Sequence, residues 1–71
     1  MDDPLQTAKR RLAARYLGRG GIHGFGLRRS EQGIVVYLDP GTGVDLLIRE
    51  LEREAAPFRL IVVREPPSRI T

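Results

Sequence analysis

The segment Ile34-Val35-Val36-Tyr37-Leu38 constrains the fold more strongly than any other part of the chain, because every one of its residues is apolar. Successive side chains of a strand point to opposite faces of the sheet, so this strand places apolar groups on both faces. Strands of this composition are typical of the centre of a sheet. The segment therefore predicts a central strand in a sheet that needs cover on both sides.

A helix is predicted before this strand, over residues 4–17. Asp3 is a suitable N-cap, and Pro4 is favoured at the first helical position. Gly18 is suited to the left-handed conformation that ends a helix. The apolar residues between them follow helical spacing and form one stripe: Leu5, Ala8, Leu12 and Tyr16.

The apolar period then changes to that of a strand. Residues 22–29 alternate, with His23, Phe25 and Leu27 expected on one face and Ile22 with two glycines on the other. The turn sequence Ser30-Glu31-Gln32-Gly33 follows, in which Gly33 is suited to a positive φ. This pattern predicts a hairpin that joins residues 22–29 to residues 34–39.

A second helix and a third strand complete the pattern. Thr42 is predicted to cap the helix together with Asp45. The apolar stripe of the helix is formed by Val44, Leu47, Ile48, Leu51 and Ala55. Residues 58–65 read as a strand, and residues 66–71 as an extended tail.

These elements predict an α+β fold, a single small two-layer domain over residues 1–71. The order is α-β-β-α-β, and a β-α-β crossover makes the third strand parallel to the second. The expected result is a three-stranded mixed sheet with two helices on one face, which is a ferredoxin-like arrangement that lacks its first strand.

The other face of this sheet predicts a binding surface. Val35, Tyr37, Ile61 and Val63 are expected there, with either Ile22 or the pair Phe25 and Leu27 added by the first strand. An exposed apolar patch of this kind indicates a partner. We expect a non-catalytic interaction or regulatory module that binds a second copy of itself or another protein. The alternative is that the tail, with Ile70, covers the face.

Charge suggests a second hypothesis, which is binding of RNA or DNA. The net charge is +3, and residues 1–30 carry seven basic and two acidic side chains. Basic clusters bind phosphate, although pairing between a basic and an acidic half of the domain is the more ordinary reading of these charges. The arginines of the candidate nucleic-acid surface are Arg10, Arg11, Arg15, Arg19, Arg28 and Arg29.

The residues that catalysis or a cofactor would need are scarce. The chain has no cysteine and one histidine, His23, so we expect no catalytic residue, no cofactor and no metal. Gly18-Arg19-Gly20-Gly21 has GxxG spacing but precedes a strand, and Gly24-Phe25-Gly26 lacks the third glycine of a dinucleotide site. No apolar run reaches the length of a membrane span, so a cytoplasmic protein without membrane contact is expected.

Three stretches together resemble a known segment. Gly21-Ile22-His23-Gly24-Phe25-Gly26-Leu27, then Gly33-Ile34-Val35-Val36-Tyr37-Leu38-Asp39, then a helix and Phe58–Val63 are similar to a small α/β accessory segment near the N-termini of some bacterial trypsin-like serine proteases. There a V-x-G-x-G strand precedes an I-V-V-Y-V strand. The resemblance covers roughly residues 10–65 and implies an accessory or regulatory role, with no protease catalytic residue carried over.

Overall fold

Helices and strands follow one another in the predicted order in the computed structural model, which describes residues 3–41 and 45–66. The elements are α1 (Pro4–Tyr16), β1 (Ile22–Arg28), a 3-10 turn (Arg29–Glu31), β2 (Gly33–Leu38), α2 (Asp45–Ala55) and β3 (Arg59–Arg64). Thr42, Val44, Ile70 and most of the predicted tail (residues 67–71) lie outside the described residues, so the expectations placed on them stay predictions.

The strands form a three-stranded sheet in the order β1-β2-β3. β1 pairs with β2 in antiparallel orientation, and β2 pairs with β3 in parallel orientation. The chain is therefore a small α+β domain with a mixed sheet, and the predicted fold class is confirmed.

The hydrophobic core lies between the two helices and one face of the sheet. Leu12 of α1, Leu51 of α2, and Ile34, Val36 and Leu38 of β2 are each 0% exposed. Phe25, Leu27, Leu60 and Val62 pack against this cluster from the two outer strands. Alternate residues of all three strands therefore face the helices, as the period of two predicts.

The ends of α1 follow the predicted capping chemistry. The Asp3 carboxylate accepts hydrogen bonds from the backbone N–H groups of Leu5 and Gln6. After the helix, Gly18, Gly20 and Gly21 all have positive φ, at 89°, 55° and 83°. Only glycine adopts these angles without strain, which explains the glycine-rich loop. The loop is thus a helix stop and a reversal of direction.

Two local expectations were wrong. A β-bulge interrupts the β1–β2 pairing between Ile22 and Gly24, so His23 is the extra residue. Because the bulge shifts the alternation by one, Ile22 joins Phe25 and Leu27 on the helix-covered face rather than opposing them. The hairpin turn also differs, because Gln32 takes the left-handed conformation, with φ of 52°, that was expected of Gly33.

Candidate interaction surface

The face of the sheet opposite the helices carries the predicted residues. Val35 and Tyr37 of β2 lie beside Ile61 and Val63 of β3 in the strand register. Within the described residues, both helices pack on the other face. We call the surface formed by Val35, Tyr37, Ile61 and Val63 the open face.

Glycines on β1 give the open face its shape. Gly24 pairs with Tyr37, and Gly26 pairs with Val35. A Cβ atom at Gly24 would lie 3.4 Å from Tyr37 Cδ2, and one at Gly26 would lie 3.4 Å from Tyr37 Oη. The Tyr37 ring therefore extends across β1 over both glycines. Strand one thus contributes two glycines to the open face and none of the large apolar side chains that were expected there.

Ile61 makes a similar arrangement on the other side of β2. A Cβ atom at Gly33 would lie only 2.7 Å from Ile61 Cδ1, so the Ile61 side chain extends over the bare backbone of Gly33. The physical role of Gly33 is this close contact rather than a turn conformation. Tyr37 and Ile61 therefore both lie close to glycine backbone on the open face.

The same arrangement changes the expected role of Val35. This residue lies on the open face but is only 2% exposed, whereas Tyr37, Ile61 and Val63 are half-buried. Val35 is not part of the core between helices and sheet. It therefore forms the floor of the open face, and the accessible apolar contact comes from the other three residues.

His23 lies at one end of the open face. Its ring stacks against Tyr37 with 6.4 Å between ring centroids, and its Nε2 hydrogen bonds to the backbone carbonyl of Glu65 at 2.9 Å. These residues, with Gly24 and Phe25, line a shallow depression of about 290 Å³. His23 therefore links the β1 bulge to the residue that follows β3, across β2, and contacts the Tyr37 ring.

Charged side chains border the opposite end. Glu31 lies between two arginines, with 3.7 Å from its Oε2 to Arg28 Nη1 and 3.6 Å from its Oε1 to Arg59 Nη1. Arg28 and Arg59 both lie opposite Gly33 in the strand register, so they are at the same end of the sheet. The apolar surface thus has a polar rim, as protein interfaces commonly do.

The arginines of the nucleic-acid hypothesis are mostly engaged within the molecule. Arg11 donates to the backbone carbonyl of Glu54, and Arg15 pairs with the Glu54 carboxylate at 3.2 Å. Arg19 donates to the carbonyl of Arg15 and lies over the Tyr16 ring. Arg28 pairs with Glu31 as described, Arg29 pairs with Asp3, and Arg10 is exposed on α1. The acidic partners reduce the positive potential that phosphate binding requires.

The two carboxylates of α2 that lie one turn apart have structural partners. The Tyr16 hydroxyl donates to Glu50 Oε2 at 3.1 Å, while Glu54 pairs with Arg15. Burial, together with the adjacent Glu50 carboxylate, raises the pKa of Tyr16 above its ordinary value. These contacts join α1 to α2.

Other kinds of site find no support among the described residues. No group of three or more His, Cys, Asp or Glu side chains in residues 3–41 and 45–66 is placed to hold a metal ion. Neither α1 nor α2 combines the length and the apolar character that crossing a bilayer requires.

Comparison with known proteins gives no relative from which a function can be transferred. No protein-family model, curated protein or solved structure matches the chain. The resemblance to protease-associated segments therefore stays a prediction.

Proposed function

We propose that this chain is a non-catalytic protein-interaction module that associates with a second copy of itself through the open face. One observation carries the proposal: the half-buried side chains of Tyr37, Ile61 and Val63 cover a buried Val35 on the sheet face away from the helices. An antiparallel or mixed sheet with one face in water normally alternates apolar and polar residues. Apolar residues on both faces favour a partner on the second.

The dimensions of the sheet set the expected strength of this contact. Strands of six residues extend about 20 Å, and three strands spaced about 4.8 Å apart span about 14 Å. The open face therefore offers about 280 Å² per copy, well below the roughly 800 Å² per partner of a standard stable interface. We expect a weak, concentration-dependent dimer with a Kd of roughly 10 μM to 1 mM.

Sedimentation velocity over a concentration series tests the proposal. The wild type should shift from monomer to dimer as concentration rises through the Kd. Tyr37→Lys places a charge in the centre of the open face and should abolish association through this face over the same range.

Leu46→Lys is the matched control. Leu46 lies on α2, is 79% exposed and is remote from the open face in sequence and in position. This variant makes the same change from apolar to cationic side chain, so it should dimerise like the wild type. Equal loss of dimer in both variants, with folding intact by circular dichroism, would refute the assignment to the open face.

Ionic strength distinguishes this proposal from nucleic-acid binding. Apolar association persists at high salt, whereas phosphate binding falls steeply. Binding of mixed oligonucleotides at low salt, lost when Arg10 and Arg19 are replaced by glutamine, would favour the arginine surface as the functional one.

A further inference from the structure

The two edges of the sheet differ in their freedom to accept another strand. At β1, the outer side of Ile22 is occupied by the glycine-rich loop: Gly18 N–H donates to the Ile22 carbonyl, and Ile22 N–H donates to the Arg19 carbonyl, both at 2.9 Å. The bulge at His23 follows directly. Bulges and covering loops are devices that protect an edge from pairing.

β3 has neither device among the described residues. It runs without a bulge from Arg59 to Arg64 in register with β2. The backbone N–H of Arg59 donates to Gln32, and that of Glu65 donates to Leu38, so the odd-numbered residues direct their backbone groups toward β2. The backbone groups of Leu60 and Val62 therefore point to the outer side.

We propose that β3 pairs with β3 of a second copy in antiparallel orientation, with the two-fold axis at Val62. The two Val62 residues then exchange both of their backbone hydrogen bonds. Ile61 lies opposite Val63 of the second copy, and Arg59 lies opposite Glu65. This inference rests on the proposed self-association and adds a second interface, on a different surface, to the open face.

Charge selects this register among its neighbours. With the axis at Val62, each exposed Arg59 meets an exposed Glu65 on the same face of the joined sheet. A shift of the axis to Ile61 sets Arg59 against Val63, and a shift to Val63 sets Glu65 against Ile61. On the open-face side of the joined sheet, only the Val62 register pairs opposite charges with each other and apolar side chains with each other, which stabilises cross-strand pairs. On the helix side, this register sets Leu60 opposite Arg64.

Edge pairing also enlarges the sheet surface that a further partner can contact. The two-fold axis is perpendicular to the sheet, so both open faces lie on the same side of a continuous six-stranded sheet. The area of the joined open faces is twice that of one copy, about 560 rather than about 280 Å². That area is closer to the roughly 800 Å² of a stable interface, so the edge-paired dimer is the better binding unit for a further partner.

A charge-exchange cycle tests the register. Glu65→Arg sets two arginines opposite each other at both ends of the pairing, and Arg59→Glu sets glutamate opposite glutamate. Each single variant should weaken the dimer about tenfold, and the double variant should restore it by reversing both pairs. Because Arg59 also pairs with Glu31, the Glu65→Arg variant is the cleaner single change. Glu52→Arg, an exposed charge reversal on α2, is the matched control and should leave the dimer unchanged.

Amide hydrogen exchange supplies a readout that does not depend on any variant. Val62 N–H points away from β2, so in the monomer it should exchange quickly although it lies in the middle of a strand. It should become protected as concentration rises. Val36 N–H, inside the sheet, should be protected at every concentration.

The outcomes separate the two interfaces. Association that is about tenfold weaker in Glu65→Arg and recovers in the double variant supports edge pairing. A dimer that is abolished by Tyr37→Lys but is indifferent to all charge exchanges overturns edge pairing and leaves the open-face proposal standing. A dimer that is weakened by Glu65→Arg but unaffected by Tyr37→Lys supports edge pairing and refutes the open face as the contact between copies. A chain that stays monomeric at millimolar concentration overturns both.

Discussion

Replacement of Gly26 by alanine and by valine should change stability in opposite directions. A Cβ atom at this position would lie 3.4 Å from Tyr37 Oη, 3.5 Å from Tyr37 Cε2 and 3.8 Å from Val35 Cβ, which are ordinary contact distances. Alanine therefore fits. Valine adds two methyl groups that reach about 1.5 Å further, and at least one of them meets the Tyr37 ring.

The expected magnitudes follow from these contacts. Gly26→Ala reduces the entropy of the unfolded chain without a clash and should stabilise the domain by about 0.5–1 kcal/mol. Gly26→Val forces the ring away from β1, an overpacking effect that costs about 1–3 kcal/mol. Net stability of a domain this small is only a few kcal/mol, so the difference between the two variants is large.

Urea unfolding followed by circular dichroism measures the difference. With an m value of about 1 kcal/mol/M, the midpoints of the two variants should differ by about 1.5–4 M. Gly41 is the control position, because nothing lies within 4 Å of a Cβ there. Alanine and valine at Gly41 should differ little. Since valine is the better strand former, a Gly26→Val variant at least as stable as Gly26→Ala would refute the claim that Gly26 is needed for the position of Tyr37.

Three other changes have defined outcomes. Leu12→Ala removes a side chain that is 0% exposed and should destabilise the domain by about 2–5 kcal/mol, enough to unfold much of it, as thermal unfolding would record. Burial and the adjacent Glu50 raise the pKa of Tyr16. The stability that its protonated hydroxyl contributes should therefore be fully present below pH 10.0 and should be lost as pH rises through the higher pKa of the folded state. Tyr16→Phe should flatten this alkaline loss in a pH series of urea midpoints. The hydrogen bond from Arg29 lowers the pKa of Asp3. The stability that the ionised Asp3 carboxylate contributes should therefore be present above pH 3.8 and lost as pH falls below it. Asp3→Asn keeps a capping oxygen and should remove that part of the acid dependence, while an unchanged acid profile would show that the ion pair contributes nothing in solution.

Regular elements were predictable because their signals are local. Asp3 and Pro4 define the start of α1, and its apolar stripe defines the buried side, so the helix ends within one residue of the prediction. The apolar run of β2 predicted both its central position and its two apolar faces. The crossover rule then fixed the direction of β3.

The structure differs from the predictions where tertiary contacts, rather than local sequence, determine the conformation. Ile22, Phe25 and Leu27 share a face although their spacing is three and then two, and that change of spacing was the available signal for the bulge at His23. No local pattern marks Gly33 as the place where Ile61 lies against the backbone, because the two residues are brought together only by the β2–β3 register.

Val35 shows the same limit at the candidate site. Alternation along β2 placed it correctly on the open face. Its exposure of 2% depends on Tyr37 lying over Gly24 and Gly26 and on Ile61 lying over Gly33. Sequence periodicity does not encode these contacts. The identity of the face was therefore predictable, while the distribution of accessible area within it was not.

Methyl NMR over a concentration series tests most directly whether the sheet surface away from the helices is where copies meet. On dilution from millimolar to micromolar protein, the methyl resonances of Ile61 and Val63 should shift together along one binding curve. Those of Leu12 and Leu51, enclosed between helices and sheet, should stay in place. Shifts confined to the arginine-bearing side of α1, or no shift at any residue across the whole range, would contradict the account.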